Sequence, residues 1–169
     1  LPVEVDVVVV GAGGAGMAAA LASAHRGMGT VLLEKSPWFG GSTARSGGGV
    51  WIPGNYALRA AGQVDADDGA RSRDYLDAIV GDVVPKVRRD TYLERGPEVM
   101  DFLRENTPVQ FAWVPEYADY HPERPGGRLR GRSVEPVPMA FSAASCCVLV
   151  PKRLAITDRL SPGLTVYRP

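Results

Sequence analysis

The sequence predicts an α/β fold that opens on a strand–helix–strand unit followed by further helices. The run from Val3 to Val10 first alternates between valine and acidic residues and then becomes continuously apolar, as in a central parallel strand buried on both faces. The alanine-rich run from Met17 to Arg26 is a good helix former that ends at Gly27. A second apolar strand follows from Thr30 to Leu33. These three segments have the length and order of one βαβ unit.

A glycine-rich turn joins the first strand to the helix, as in a Rossmann-like nucleotide-binding unit. In Gly11-x-Gly13-x-x-Gly16 the first glycine permits a tight turn, the second lets the backbone approach a pyrophosphate, and the third lets helix and strand pack closely. Unpaired N–H groups and the helix dipole stabilise the phosphate charge there without a lysine. Gly14 belongs to the same candidate site. The alternative is a tight turn without a ligand.

An acidic residue ends the second strand. Glu34 lies 18 residues beyond Gly16 and is placed to accept hydrogen bonds from both ribose hydroxyls of a dinucleotide. A carboxylate there repels a 2′-phosphate, so NADP is disfavoured against FAD or NAD. We expect the Glu34 carboxylate within ~10 Å of the glycine turn. Lys35 is a candidate cofactor-binding position, although a solvated side chain is the interpretation we prefer for it.

A second glycine-rich segment, Gly40 to Gly49, predicts a binding loop that a ligand orders. A flavin ring needs backbone donors far from the pyrophosphate, and this loop could supply them, which favours FAD over NAD in part. A mobile surface loop is the alternative. The candidate cofactor-binding residues of the segment are Gly41, Ser42, Thr43, Ser46, Gly47, Gly48 and Gly49.

Hydrophobic periodicity and helix-breaking glycine and proline residues divide the next hundred residues into helices, a strand and loops. The predicted elements are a helix from Asp67 to Val80, a helix from Pro85 to Arg95 closed by Gly96, a third helix from Pro97 to Asn106, a short strand from Phe111 to Val114 and a loop from Pro115 to Pro138.

Composition excludes several classes of protein. Lys plus Arg equals Asp plus Glu at 19 each, so no overall field would attract nucleic acid. The longest apolar run near the start, Val7 to Val10, is far too short to span a membrane, and we expect a cytoplasmic protein. Cys146 and Cys147 have no partner at metal-ligand spacing, so we expect no metal site. The chain starts at Leu1, consistent with a piece of a longer product.

Three segments resemble the N-terminal part of the FAD domain of bacterial 3-ketosteroid Δ1-dehydrogenases, within the fumarate-reductase-like flavoprotein superfamily. They are Trp38 to Pro53, Ala78 to Asp82 and Gly131 to Pro136, and the resemblance runs from about Val5 to Pro138. The Ser-Thr-Ala-Arg-Ser-Gly-Gly core is typical of the whole superfamily and indicates flavin. The Trp-Ile-Pro that follows it and the Asp119-Tyr120 pair favour the steroid enzymes.

The resemblance implies an oxidoreductase with a 3-ketosteroid substrate and an electron acceptor. In that family FAD accepts a hydride from C1 of the steroid while a tyrosinate removes a proton from C2, which forms a 1,2-double bond. Tyr120 matches a family tyrosine that supports the base, and it is our catalytic candidate. A phenol hydrogen-bonded to a second phenol is easier to ionise. The alternative is that Tyr120 only packs within a proline-bounded loop. The resemblance assigns no chemical role to the neighbouring His121.

After Met139 the family pattern is lost. We therefore divide the chain into residues 1–139, the N-terminal part of the FAD-binding domain, and residues 140–169, a divergent tail produced by a frameshift or a mis-called gene end. The alternative is a genuine short variant whose last strand is Cys147 to Val150. We expect few long-range contacts in the tail, and a fold incomplete relative to the family, with an apolar sheet edge and face exposed.

The resemblance also implies that the chain alone is inactive, because the family's proton-abstracting tyrosine and its keto-polarising tyrosine and glycine lie in a portion that this sequence lacks. Two alternatives to the steroid 1-dehydrogenase remain. One is another fumarate-reductase-type flavoprotein, such as a steroid 4-dehydrogenase. The other is a non-catalytic nucleotide-binding module.

Overall fold

The computed structural model describes residues 4–66 and 68–138, together with the backbone of 156–161 and 164–167. The chain forms two compact units. Unit 1 comprises Leu1–Gly48 and Ala140–Pro169, and unit 2 comprises Gly49–Met139. Each unit has its own β-sheet, of four strands in unit 1 and three strands in unit 2.

Unit 1 begins with the predicted βαβ unit, which the structure confirms. Its elements are β1 (Val7–Val10), α1 (Gly14–His25) and β2 (Thr30–Glu34). The strands β1 and β2 are parallel, with Val7 opposite Thr30 and Val10 opposite Leu33. A small core of Ala12, Ala20 and Leu32, with Val9 packed against it, holds the unit together. The order strand, turn, helix, strand brings the end of each strand to the same edge of the sheet.

Two further strands near the end of the chain extend this sheet, and they are numbered β6 (Ile156–Ser161) and β7 (Leu164–Tyr167) because strands β3 to β5 belong to unit 2. Strands β6 and β7 form an antiparallel pair, and β7 also pairs antiparallel with β2. The sheet order is β1-β2-β7-β6. This backbone pairing differs from our expectation of few long-range contacts in the tail. The packing of the tail's side chains and the alternative strand Cys147 to Val150 lie outside the described residues.

Strand β1 lies at the edge of the sheet, not at its centre as the sequence suggested. The side chains of Val8 and Val10 are 55% and 81% exposed. A continuous valine run suits a strand covered on both faces, but among the described residues only one face of β1 is covered. The prediction that the sheet exposes an apolar edge and face is therefore confirmed.

Unit 2 combines three helices with a small antiparallel sheet. Its helices are α2 (Tyr56–Ala60), α3 (Asp68–Val80) and α4 (Lys86–Asn106), and its strands, in the order β3-β5-β4, are β3 (Val50–Trp51), β4 (Phe111–Trp113) and β5 (Ser133–Pro136). The predicted α3 and β4 are confirmed, whereas β3, α2 and β5 were not predicted. The core comprises Tyr56, Ala57, Leu58, Met100 and Val134. Asn55 caps α2 by accepting hydrogen bonds from two backbone N–H groups.

Helix α4 is one continuous element, so the prediction of two helices separated at Gly96 is wrong. Gly96 is buried inside the helix, and a Cβ atom there would lie 2.8 Å from the Cγ2 atom of Ile52. The glycine permits close packing and does not end the helix. Pro97 follows within the same helix, where its missing N–H costs one backbone hydrogen bond.

Candidate FAD-binding site and tyrosine loop

The glycine turn between β1 and α1 has the geometry that its sequence spacing predicts. Gly11 has φ of 95°, a conformation that favours glycine, and its N–H donates to the Leu33 carbonyl at 2.7 Å. A Cβ atom on Gly16 would lie 1.8 Å from the carbonyl oxygen of Gly11. Only glycine at this third position lets the first turn of α1 approach the end of β1.

Gly13, the middle glycine, faces open space. Its φ of −75° is available to any residue, and a Cβ atom there would meet no atom within 4 Å. Helix α1 begins here without a capping side chain and without an acidic residue in its first turn. A pyrophosphate fits such a position, because the helix end supplies N–H donors and a positive dipole. Neither the backbone conformation nor a neighbouring protein atom requires glycine at this position.

Glu34 lies directly against the glycine turn. Its Oε2 accepts from the Ala12 N–H at 2.7 Å and its Oε1 accepts from the Ser36 N–H at 2.8 Å. The predicted proximity of this carboxylate to the turn is confirmed. The backbone hydrogen bonds from Ser36, Ala12 and Lys35 lower the pKa of Glu34. Each carboxylate oxygen can accept more than one hydrogen bond, so capacity remains for ribose hydroxyls. The side chain of Lys35 is exposed, as in the interpretation we prefer.

The lowered pKa of Glu34 predicts a specific dependence of stability on pH. A carboxyl whose pKa is depressed in the folded state stabilises the fold above its ordinary value of 4.5, and this contribution is lost as the pH falls through the folded pKa. In Glu34→Gln the free energy of unfolding, measured by urea titration, should fall less steeply from about pH 5 to about pH 3. The exposed Glu94→Gln serves as the control. If the free energy of unfolding fell equally steeply with pH in Glu34→Gln and in the unmodified chain, the contribution ascribed to Glu34 would be contradicted.

The second glycine-rich segment lies against the first. The Gly40 N–H donates to the Ala12 carbonyl at 2.7 Å, and Gly13 and Gly40 form a parallel bridge. The Oγ1 of Thr43 accepts from the Gly14 N–H at 3.3 Å. A Cβ atom on Gly41 would lie 3.2 Å from the Cα of Gly13. The structure therefore brings Gly41 and Thr43 together with the glycine turn, a proximity that spacing along the chain could not reveal.

This loop contains a turn and hydrogen bonds of its own. Thr43–Arg45 form a 3-10 turn, in which the Arg45 N–H donates to the Ser42 carbonyl at 3.1 Å. The Ser46 hydroxyl donates to the Thr43 carbonyl at 2.9 Å and accepts from the Gly48 N–H at 3.1 Å. The Thr43 hydroxyl and the Ser46 hydroxyl thus stabilise the loop in this structure.

The last three glycines of the segment, Gly47 to Gly49, differ in backbone conformation and in the space around them. Gly48 has φ of 74°, whereas a Cβ atom on Gly47 would meet nothing within 4 Å. Gly49 belongs to unit 2, where a Cβ atom on it would lie 3.6 Å from the Cγ of Glu135. Of the three, Gly47 has the open space that a ligand could occupy.

Asp119, the acidic member of the Asp119-Tyr120 pair, is a buried structural residue. Its Oδ1 accepts from the Trp51 indole at 2.7 Å and from the Arg132 N–H at 3.0 Å. Its Oδ2 accepts from the Arg128 N–H at 3.1 Å and pairs with the Arg132 guanidinium. The side chains of Asp119 and Arg132 are both fully buried. Sequence reasoning missed Arg132, because a single arginine in an arginine-rich loop carries no signal of burial.

Asp68 is the second carboxylate of this buried cluster. It lies 3.0 Å from the Nε of Arg132 and 3.1 Å from the Arg128 guanidinium, and its side chain is 2% exposed. Two carboxylates therefore balance two guanidinium groups, and every charge has a partner. The cluster joins the start of α3 to the loop that carries Tyr120.

Tyr120 itself lies on the surface, with 83% of the residue exposed. Its ring meets that of Tyr117 edge to face, with 6.2 Å between ring centroids. A hydrogen bond with Tyr120 raises the pKa of Tyr117. His121 is also exposed, and its Nδ1 lies 3.6 Å from the Glu123 carboxylate. Tyr117 is therefore a neighbour of Tyr120 that sequence reasoning did not assign, and it is not the proton-abstracting tyrosine that the resemblance implies.

Over the described ranges, no helix has both the length and the apolar composition needed to cross a membrane. The same part of the chain contains no group of three or more metal-ligating side chains.

Comparison with known proteins identifies the class to which this site belongs. Residues 6–159 match the family described as "FAD binding domain". The match covers most of the chain, and the chain therefore belongs to that family, whose cofactor is FAD. This agrees with the cofactor predicted from the glycine turn, Glu34 and the second glycine-rich segment.

Several of the similar proteins are steroid dehydrogenases. The chain is 59% identical over 135 residues to a 3-oxosteroid 1-dehydrogenase of Mycolicibacterium smegmatis, covering 80% of this chain and 23% of that protein. It is 58% identical to one of Mycobacterium tuberculosis over the same length, covering 80% and 24%. The solved structure of a 3-ketosteroid Δ1-dehydrogenase from Sterolibacterium denitrificans in complex with 1,4-androstadiene-3,17-dione matches with a TM-score of 0.73 and 35% identity, covering 83% of this chain and 24% of that one.

These similarities confirm the predicted resemblance to 3-ketosteroid Δ1-dehydrogenases. The chain spans about a quarter of the length of the relatives it matches.

Proposed function

We propose that this chain is the FAD-binding portion of a 3-ketosteroid 1,2-dehydrogenase. The observation that carries the proposal is the 59% identity over 135 residues to a 3-oxosteroid 1-dehydrogenase. The Asp119-Tyr120 pair and the run from Gly40 to Pro53 support the steroid enzymes over other flavoproteins. The substrate is then a 3-ketosteroid, a separate electron acceptor reoxidises the flavin, and the protein works in the cytoplasm.

The cofactor site of this proposal is assembled from unit 1. The turn Gly11 to Gly16 and the start of α1 hold the pyrophosphate, and Glu34 holds the ribose. Backbone and hydroxyl groups from Gly41 to Gly48 bind the remainder of the cofactor, and Lys35 lies beside the ribose-binding Glu34 in the sequence. When bound, FAD accepts the hydride that leaves C1 of the steroid. The protein groups of the chain orient the cofactor and neutralise its phosphates.

Tyr120 is the catalytic residue of the proposal. Its exposed hydroxyl supports a second phenol that removes the proton from C2, by donating a hydrogen bond that stabilises that phenol's ionised form. The exposure of Tyr120 supports this role, since a ring used only for packing would be covered. A steroid 4-dehydrogenase is the second candidate, and it would use the same FAD site.

We also propose that residues 140–169 are a divergent tail, and that residues 1–139 are the part with the family's FAD-binding function. The similarity to the M. smegmatis enzyme over 135 of the 169 residues supports this division, although the family match itself continues to residue 159.

Grafting provides the direct test of the proposed function. The 135 matching residues of this chain would replace their counterparts in the M. smegmatis 3-oxosteroid 1-dehydrogenase. We expect the chimera to bind FAD and to convert 4-androstene-3,17-dione into 1,4-androstadiene-3,17-dione. A Tyr120→Phe chimera should bind FAD equally well but turn over more slowly. A flavin-loaded chimera without 1,2-dehydrogenation, or one in which Tyr120→Phe has full activity, would contradict the proposal.

The chain alone should not dehydrogenate a steroid, even with FAD bound. Hydride transfer requires a steroid held against the flavin, and proton removal requires a base within ~3 Å of the proton. Loss of oxyanion stabilisation alone costs ~10²–10³ in rate. The measurement is reduction of an artificial acceptor by residues 1–169 with FAD and 4-androstene-3,17-dione, once bound flavin has been shown. Turnover above that of free FAD would refute the prediction.

A further inference from the structure

Trp51 holds the residue immediately before Tyr120. Its indole N–H donates to the Asp119 carboxylate at 2.7 Å. Further hydrogen bonds to this carboxylate come from Arg128 and Arg132, which lie in the same β4–β5 loop that carries Tyr120. Trp51 belongs instead to β3, 68 positions earlier in the chain than Asp119. The indole therefore ties the tyrosine loop to the sheet of unit 2 from outside the loop.

The same tryptophan contacts the anchor on the other side of Tyr120. The His121 N–H donates to the Tyr75 hydroxyl at 3.0 Å, and Tyr75, on α3, is buried. The rings of Trp51 and Tyr75 pack together with 5.4 Å between their centroids. Trp51 thus supports both neighbours of Tyr120, Asp119 directly and His121 through Tyr75.

Trp51 is itself fixed in position. Its carbonyl accepts from the Tyr92 hydroxyl on α4, and its backbone pairs with that of Ser133 on β5. The central carbon of the Arg132 guanidinium lies 5.9 Å from the centre of the indole ring. A side chain on a strand that is held in this way can hold its own partners in a defined place.

We propose that Trp51 is a positioning residue for Tyr120. Because Tyr120 is 83% exposed, packing restrains its side chain little, and the backbone from Asp119 to His121 sets the direction in which that side chain leaves the chain. A phenol that supports catalysis must keep its oxygen within about 0.5 Å of the productive position. The two sequence features that favour the steroid enzymes, Trp-Ile-Pro and Asp119-Tyr120, then act together through the indole hydrogen bond. This inference rests on the proposed function of Tyr120.

The test variant is Trp51→Phe, which keeps an aromatic ring beside Tyr75 and removes the indole donor to Asp119. The matched control is Trp113→Phe. Trp113 lies on β4 of the same unit, and its indole donates to the Gly131 carbonyl at 3.0 Å, so this variant also loses one indole hydrogen bond. The Asp119 carboxylate keeps its ionic partner in both variants, and we expect both to fold.

Amide hydrogen exchange in the 169-residue chain, followed by NMR, measures the positioning itself. In Trp51→Phe the exchange of the Asp119 and His121 N–H groups should become about tenfold faster, the equivalent of one net hydrogen bond to a charged group. Trp113→Phe should leave both rates nearly unchanged. Unchanged exchange in Trp51→Phe, or equal acceleration in the two variants, would overturn the proposal.

A double-mutant cycle in the chimera with the M. smegmatis enzyme tests the consequence for catalysis. Trp51→Phe should lower kcat about tenfold to a hundredfold at unchanged FAD affinity, since displacing a catalytic group by ~1 Å can cost ~10² in rate. In a Tyr120→Phe background the same substitution should have no further effect, because the group that it positions is already missing. Equal losses of kcat in the two backgrounds would also refute the proposal. The exchange measurement needs neither FAD nor steroid, so an inactive chimera counts against the proposed function while exchange still decides whether Trp51 holds the loop.

Discussion

Replacing Gly13 by alanine should weaken FAD binding about tenfold to a hundredfold and leave the apo fold intact. The added methyl group meets no protein atom within 4 Å, and the backbone at φ −75° accepts alanine. The methyl group enters the open space that our proposal assigns to the pyrophosphate. Overpacking a filled site by one methyl group costs ~1–3 kcal/mol, which corresponds to this loss of affinity. The measurements are titration with FAD by calorimetry and urea unfolding of the apo chain.

The control for Gly13→Ala is Gly69→Ala. Gly69 is an exposed position of α3 where an added Cβ atom also meets nothing within 4 Å. Gly69→Ala should bind FAD as the unmodified chain does. Equal FAD affinity of Gly13→Ala and Gly69→Ala would show that the open space before α1 is not the phosphate site. Unfolding of apo Gly13→Ala would mean that Gly13 is required by the backbone.

Asp119→Ala should destabilise the chain by about 3–5 kcal/mol, the usual cost of removing one partner of a buried ion pair. The substitution leaves the fully buried Arg132 with one carboxylate fewer and removes the acceptor of the Trp51 indole. The burial of both Asp119 and Arg132 makes this loss large, because the fully buried guanidinium of Arg132 has no access to water in place of the lost carboxylate. Urea unfolding followed by tryptophan fluorescence reports the change, because Trp51 lies beside the cluster.

A surface ion pair supplies the comparison for Asp119→Ala. Asp101 pairs with Arg59 at 2.9 Å, but the two side chains are 30% and 46% exposed. Asp101→Ala should therefore cost only about 0–1 kcal/mol. The account of the buried cluster would be wrong if the two variants lost similar free energies of unfolding.

The sequence predicted the part of the site whose geometry depends on residues that are close together in the chain. The strand, the glycine turn and the helix follow one another in the chain, and Gly11, Gly16 and Glu34 have positions set by that unit. The roles of the first and third glycines could be predicted because they depend on backbone geometry within a few residues. The approach of Gly40 and Thr43 to the turn depends on a loop path that periodicity does not encode.

The errors in the prediction have physical causes in particular residues. Gly96 resembled a helix end because glycine is common there, but its lack of a side chain serves contact with Ile52. The valine run of β1 predicted burial on both faces, but among the described residues only one face of this strand is covered. Asp119 was named only as the neighbour of Tyr120 in a pair that resembles the steroid enzymes, and its role as the buried anchor of the loop was not predicted. Such roles depend on contacts across 13 or more positions of the chain, as between Asp119 and Arg132.

Competition for the FAD site tests the central claim most directly. The claim is that the glycine turn and Glu34 bind the ADP part of FAD, through the pyrophosphate and the ribose. The chain would be titrated with FAD in the presence of excess ADP or excess FMN, with flavin fluorescence as the readout. We predict that ADP displaces FAD and that FMN does so far more weakly, and that ADP binds poorly to Gly13→Ala. Displacement by FMN but not by ADP would contradict the account.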